Sequence, residues 1–219
     1  MESNMPSFDA LILAGGRSAR LGGVPKQTLQ FQGASLLERS LAAAAAARRI
    51  VVVGPPGLIP EGILSCREQP EFAGPAAAIA AGLDTLAGAG AGSDYTLVLA
   101  CDMPLVTDAV SVLQASLAAG ERTGADAVLA RTEDGTPAGR IQPLAGFYRT
   151  GALKKAAQDL ASRGALINGS VRSLLASLDV QLVSVPAAST ADVDTWDDAA
   201  ALGIAAGNQD KDHGRPGRS

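Results

Sequence analysis

Ala10-Leu11-Ile12-Leu13-Ala14-Gly15-Gly16-Arg17-Ser18-Ala19-Arg20-Leu21-Gly22-Gly23-Val24-Pro25-Lys26 is the stretch from which the rest of the chain is best read. An apolar strand runs straight into a loop carrying four glycines, two arginines and a lysine. Glycines let backbone N–H groups approach phosphate oxygens with no Cβ in between, and Arg17, Arg20 and Lys26 bring positive charge to the same place. The spacing excludes two common phosphate loops. Gly16 and Gly22 do not fit Gly-x-x-x-x-Gly-Lys-Ser/Thr, and Gly15-Gly16-Arg17 breaks G-x-G-x-x-G. A glycine-rich turn with solvated charges is the alternative, but such a turn needs neither four glycines nor the lysine.

Working outward, Ser35 is placed to cap a helix over 36–47, closed by Arg48-Arg49 where cations suit the helix dipole. Ile50-Val51-Val52-Val53 reads as a second, fully buried parallel strand, which completes a right-handed crossover. A weaker strand spans 63–67. Gly74-Pro75 opens a small-residue helix over 76–87, whose first N–H groups and dipole would face an anion; an ordinary loop with proline at the first helical position reads the same way. After a glycine-rich connector, Tyr95 to Ala100 forms another buried strand that leads into Asp102. Ligands of open parallel sheets sit at the carboxyl ends of the strands, so Asp102 is expected in the same crevice as the glycine loop. There it could hold a hard cation such as Mg²⁺, or cap the turn that follows.

Further on, the pattern predicts a helix over 109–119, a strand over 126–130, a mobile polar loop over 131–139 and a strand over 140–148. Pro143 makes this last strand a bulged or edge one. Helices over 150–160 and 170–178 and a half-buried strand over 180–185 follow. Asp192 and Asp194 lie at i and i+2 of an extended segment and can both aim at one cation; their alternative role is to cap a helix. Thr195 is the natural N-cap, with Asp198 as its capping-box partner. Residues 207–219 are polar and mixed in charge and are expected to be disordered, which assigns 1–206 to one domain. The only histidine, His213, falls in that tail, so no histidine-based general-base mechanism is expected.

With 219 residues and 47% hydrophobic content, the chain can bury a single sizeable core. Aromatics make up only 3%, which argues against base-stacking nucleic-acid modules, and the net charge of −4 provides no global basic field for a nucleic-acid backbone. The start of the chain has no basic segment leading a long apolar run, so neither a signal peptide nor a membrane span is expected, and a cytoplasmic location is. Cys66 and Cys101 lack metal-ligand spacing and read as buried free thiols.

Leu13-Ala14-Gly15-Gly16-Arg17-Ser18-Ala19-Arg20-Leu21-Gly22 with Pro25-Lys26 resembles the opening signature of sugar-nucleotide-type nucleotidyltransferases, and more narrowly of the MobA-like molybdenum cofactor guanylyltransferases. Asp102-Met103-Pro104 resembles the metal-binding segment of these enzymes, and Asp192-Val193-Asp194-Thr195 a late motif. The resemblance implies an α/β fold: one Rossmann-like three-layer domain with a mostly parallel central sheet, of the nucleotide-diphospho-sugar transferase type. It implies GMP transfer from GTP to the phosphate of the molybdenum–molybdopterin cofactor, with Mg²⁺ on Asp102, Asp194 and Asp192. Lys26, Arg20 and Asp102 would be catalytic. Leu13, Ala14, Gly15, Gly16, Arg17, Lys26, Arg67, Gly74 and Asp102 would bind the nucleotide, and Arg140 and Pro143 would face the acceptor. Transient contacts with proteins that make or receive the cofactor are implied as well. Arg67-Glu68 and the late motif leave CTP open as the nucleotide. A sugar-1-phosphate or isoprenoid nucleotidyltransferase, and a non-catalytic nucleotide-binding regulator, are the rival readings.

Overall fold

The computed structural model describes residues 5–16, 21–56, 59–119, 124–133 and 139–204. Arg17 and Arg20, most of the expected mobile loop and the expected tail from 207 onward lie outside these residues.

All six side chains of β1 (Phe8–Leu13) are buried. Ala10 and Ile12 point into one hydrophobic cluster, Leu11 and Leu13 into another, so the strand is covered on both faces. This is why its sequence is a continuous apolar run and not an alternating one. A two-stranded hairpin, β2 (Gln30–Phe31) with β3 (Ala34–Ser35), leads to α1 (Leu36–Ala43), where Ser35 and Glu38 form the capping box. The helix stops four residues short of the expected end. The chain turns so that Arg48 N–H donates to the Phe8 carbonyl and Ala10 N–H to that of Arg49, tertiary bonds that an alanine run has no side chains to oppose.

Arg49 was expected to serve as a helix-end cation, but it makes a two-pronged ion pair with Asp9, which is buried in β1, at 2.9 and 3.1 Å. It also donates to the carbonyls of Leu86, Gly90 and Ala91, and Ser93 N–H donates to Asp9, so the buried charge is enclosed by donors.

The chain continues through β4 (Ile50–Val53), β5 (Leu64–Cys66), α2 (Pro75–Gly88), β6 (Tyr95–Ala100), α3 (Val106–Ala118), β7 (Ala127–Thr132), β8 (Arg140–Arg149), α4 (Thr150–Ser162), α5 (Val171–Leu175), β9 (Val180–Ser184) and α6 (Trp196–Leu202). Among the described residues, seven strands form one sheet in the order β5-β4-β1-β6-β8-β7-β9. Every neighbouring pair is parallel except the two made by β8, so the sheet is mostly parallel. Helices α1 and α3 pack on one face, α2, α4 and α5 on the other, giving three layers.

β8 is an interior strand, where Pro143 had suggested an edge or a bulge. The bulge resolves the conflict. Against β7 the register steps from Ala130↔Gln142 to Leu129↔Gly146, and against β6 it begins at Leu99↔Ala145. Pro143 lies outside both ladders, where its missing N–H costs no hydrogen bond. The Tyr148 hydroxyl donates to its carbonyl at 2.6 Å.

Candidate functional site

The register brings the site together. Leu13 pairs with Ala100 across β1 and β6, and Cys101 N–H donates to the Leu13 carbonyl, so the glycine loop and Asp102 leave the sheet side by side. Asp194 comes from much further along the chain. Val193 is fully buried among Leu21, Leu29, Phe31 and Leu36, and its N–H donates to the Asp102 carbonyl at 3.0 Å. That anchor turns the Asp194 carboxylate toward Asp102. The adjoining Thr195–Asp198 capping box also takes up the Asp194 N–H, so the cap is made by these two residues and the Asp194 side chain is left for other work.

Between the two carboxylates lies Lys26. It opens a 3-10 turn over Lys26–Thr28, and its Nζ donates to Asp102 Oδ2 at 3.0 Å and to Asp194 Oδ1 at 2.5 Å. Burial works against its charge, but the two aspartates outweigh that and hold its pKa above the ordinary lysine value. Burial pushes the Asp102 carboxyl up, an effect the Lys26 charge and hydrogen bond partly offset and Asp192 and Asp194 reinforce.

These groups line a cleft of about 520 Å³ at the carboxyl ends of β1 and β6. Of the residues expected at the nucleotide site, Leu13, Gly15, Gly16, Lys26, Gly74 and Asp102 line it. Ala14 does not; it is buried, with its N–H donating to the Val53 carbonyl. Arg67 does not line the cleft either: it pairs with Glu71 at 2.7 Å and lies over the Phe72 ring at 5.3 Å. Its neighbours Glu68 and Phe72 reach the cleft instead. The signal for them was the acidic and aromatic character of Glu68-Gln69-Pro70-Glu71-Phe72 just ahead of Gly74-Pro75.

Gly74 caps α2 at φ 91°, a left-handed conformation that favours glycine, and a Cβ there would lie 3.2 Å from the Gly169 carbonyl oxygen. The anion site expected at this helix end is reduced. Pro75 has no N–H, and that of Ala76 is taken by the Gly169 carbonyl.

Arg140 and Asp192 pair with each other, at 3.2 Å, outside the residues lining the cleft. Among the described residues, no group of three acidic, cysteine or histidine side chains is arranged to hold a metal; of the three expected ligands, Asp102 and Asp194 meet at Lys26, while Asp192 lies near enough to raise the Asp102 carboxyl but pairs with Arg140. Asp102 and Asp194 do suit a hard divalent ion. They converge on one ammonium, so a cation is favoured at that point, and Mg²⁺ needs only one or two protein carboxylates when phosphate oxygens supply the rest. Both cysteines are free thiols, and Cys101 is buried. No helix among the described residues is long and apolar enough to cross a membrane.

Residues 10–183 match the MobA-like NTP transferase domain. The chain is 36% identical over 156 residues to a molybdenum cofactor guanylyltransferase of Ralstonia nicotianae, covering 64% of this chain and 71% of that protein. Its fold resembles that of molybdopterin-guanine dinucleotide biosynthesis protein A from Archaeoglobus fulgidus, at 21% identity and a TM-score of 0.63, over 89% of this chain and 96% of the other. It also resembles a Mycobacterium tuberculosis protein crystallised in complex with manganese, at 19% identity and a TM-score of 0.58, over 90% and 97% of the two chains. The sheet order, the cleft at its carboxyl edge and the extent of the domain match therefore agree: the chain is a nucleotidyltransferase and belongs to the MobA-like NTP transferase family.

Proposed function

We propose that this protein transfers GMP from GTP to the terminal phosphate of the molybdenum–molybdopterin cofactor and releases pyrophosphate. The observation that carries this reading is Lys26 held between Asp102 and Asp194 on the floor of a glycine-walled cleft. The guanylyltransferase relatives supply the substrate class.

In this reading the backbone at Gly15 and Gly16 lies along the triphosphate, where no side chain stands in the way. Asp102 and Asp194 would hold the divalent cation, Mg²⁺ here, whose chemistry is to neutralise phosphate charge. Lys26 then turns its ammonium toward the α-phosphate. An acceptor phosphate oxygen forms the new P–O bond, and the α–β bridging bond breaks with its electron pair leaving on pyrophosphate. Lys26 stabilises the charge that builds on the α-phosphoryl oxygens. Arg17 and Arg20, cationic in the same stretch of sequence, would assist Lys26 in stabilising that charge and the leaving group. Arg140 and Pro143 mark the acceptor side, with Arg140 released from Asp192 to meet the acceptor phosphate.

Glu68 supports guanine. A carboxylate in the cleft wall can accept from both the ring N–H and the amino group of guanine, whereas the Watson–Crick edge of cytosine offers one donor and two acceptors. The Asp192-Val193-Asp194-Thr195 motif favours the cytidylyl reading, so both nucleotides belong in the test. α-Labelled GTP and CTP are incubated in parallel with cofactor and Mg²⁺. Label moving from GTP, with stoichiometric pyrophosphate, is the expected result. Label moving from CTP would change the base, and no transfer or pyrophosphate from either would point to a nucleotide-binding regulator.

A further inference from the structure

We propose that Lys26 gates the cation site: its ammonium takes the place between Asp102 and Asp194 that the divalent ion would take, so Lys26 admits the ion only when nucleotide phosphates draw it away. The inference rests on the nucleotide reading of the cleft and adds an order of events that this reading leaves open.

Three observations carry it. Lys26 Nζ donates to Asp102 Oδ2 at 3.0 Å and to Asp194 Oδ1 at 2.5 Å, so it fills the faces that the two carboxylates turn toward each other. An ion bridging the same pair needs those faces, at metal–oxygen distances of about 2.0–2.1 Å for Mg²⁺, and two cations that close repel. Of the other acids nearby, Glu68 accepts from the Phe72 N–H and Asp192 pairs with Arg140, so each already has a partner of its own.

The third observation is how Lys26 is mounted. Its carbonyl accepts from the Leu29 N–H at 3.1 Å, and Leu29 is fully buried, so the backbone of the 3-10 turn is fixed. The side chain lines the cleft, and a lysine carries a compact charge on a flexible four-carbon stem. The ammonium can therefore change partners while its base stays still. Charge balance makes the change a coupled one. With Lys26 in place, two carboxylates share one positive charge; a divalent ion neutralises both, and the released ammonium meets phosphates lying along Gly15 and Gly16. An ion entering without phosphate would leave the ammonium unpaired, and Lys26 leaving without an ion would strand the carboxylates. Ion and nucleotide therefore enter together.

Mn²⁺ is the probe, because it shares the preference of Mg²⁺ for oxygen ligands and its paramagnetic resonance signal counts the free ion. With no nucleotide present, Lys26→Met should bind one Mn²⁺ about 5- to 150-fold more tightly than wild type, the usual range over which one bound group alters the affinity for another. Adding Asp194→Asn should remove the gain. Lys155→Met takes the same charge from the Lys155–Asp159 pair, outside the cleft lining, and should leave Mn²⁺ binding at the wild-type level. A second measurement uses wild type alone, so the test does not depend on how the variants fold. Mn²⁺ raised until it binds should speed acetylation of Lys26 by acetic anhydride, read by peptide mass spectrometry, while Lys154 and Lys155 stay at their rates without metal.

Equal Mn²⁺ affinity in wild type and Lys26→Met, an equal gain in Lys155→Met, a gain that survives Asp194→Asn, or a Lys26 acetylation rate that bound Mn²⁺ does not change overturns the gate while leaving the nucleotide site standing. A wild-type protein that binds no GTP even with Mn²⁺ present overturns the underlying reading, and the gate with it.

Discussion

Replacing Lys26 by methionine keeps the length of the side chain and removes its charge. Two separable effects follow. On catalysis, loss of one preorganised cation from a phosphoryl-transfer site costs roughly 10²–10³ in rate. On stability, the variant leaves Asp102, whose side chain is 22% exposed, without its counter-charge. An unpaired group of this kind costs about 1–3 kcal/mol. Asp194 adds little because its side chain is 49% exposed and solvent screens it.

The stability effect has a definite pH sign. The Asp102 carboxyl already sits above the usual range because of burial, and Lys26 is what pulls it down, so in Lys26→Met it rises further. A carboxyl with a raised folded pKa gives its full stability below the unfolded value and loses it as pH climbs through the folded one. The gap between wild type and variant should thus be widest at neutral and alkaline pH and close in acid. Denaturant unfolding followed by circular dichroism from pH 4 to 8, beside the label-transfer assay, reads both effects. A variant that keeps most of its rate, or a gap that widens in acid, would refute the reasoning.

Arg49→Met should cost about 3–5 kcal/mol in chemical denaturation, because Asp9 is buried in β1 and loses the only cation paired with it among the described residues. Gly54→Ala puts a Cβ 2.9 Å from the Ala14 carbonyl carbon, so backbone must move; a loss of about 1–3 kcal/mol is expected, with a raised nucleotide KM as Gly15 and Gly16 shift with Ala14. Burial raises both thiols, that of Cys101 far above the ordinary range, so iodoacetamide at pH 8 should label neither rapidly in the native protein and both once it is unfolded. Mass spectrometry of the quenched reaction distinguishes the cases, and rapid native labelling of Cys101 would show that the strand end opens.

Features whose cause is local were legible in the sequence. The apolar run of β1, the Ser35 and Thr195 caps, and an aspartate just past β6 each follow from a few adjacent residues, and Lys26, Asp102 and Asp194 were named as site residues on that basis. Features set by partners far along the chain were not legible. Asp9 and Arg49, 40 residues apart, each look like surface charges until the sheet is assembled. Arg140 and Asp192 quench one another for the same reason. Pro143 indicated a break in a ladder, but not that the broken strand would lie between two others. Ahead of Gly74 it is Glu68 and not Arg67 that lines the cleft, because a strand end does not announce which of two neighbours turns inward.

The small cluster of Leu21, Leu29, Phe31, Leu36, Val193, Ala199 and Ile204 stands apart from the two cores that hold the sheet. It joins the segment carrying Lys26 to the one carrying Asp194, 168 residues away. In a chain synthesised from its N-terminus, the glycine loop and Asp102 are in place long before that clasp can close. A nascent chain halted after β9 would carry every strand of the sheet and an incomplete cleft. On the proposed reading of the site, the cleft is complete only once the segment carrying Asp194 has been synthesised, so a protein still emerging from the ribosome has no finished site with which to spend nucleotide.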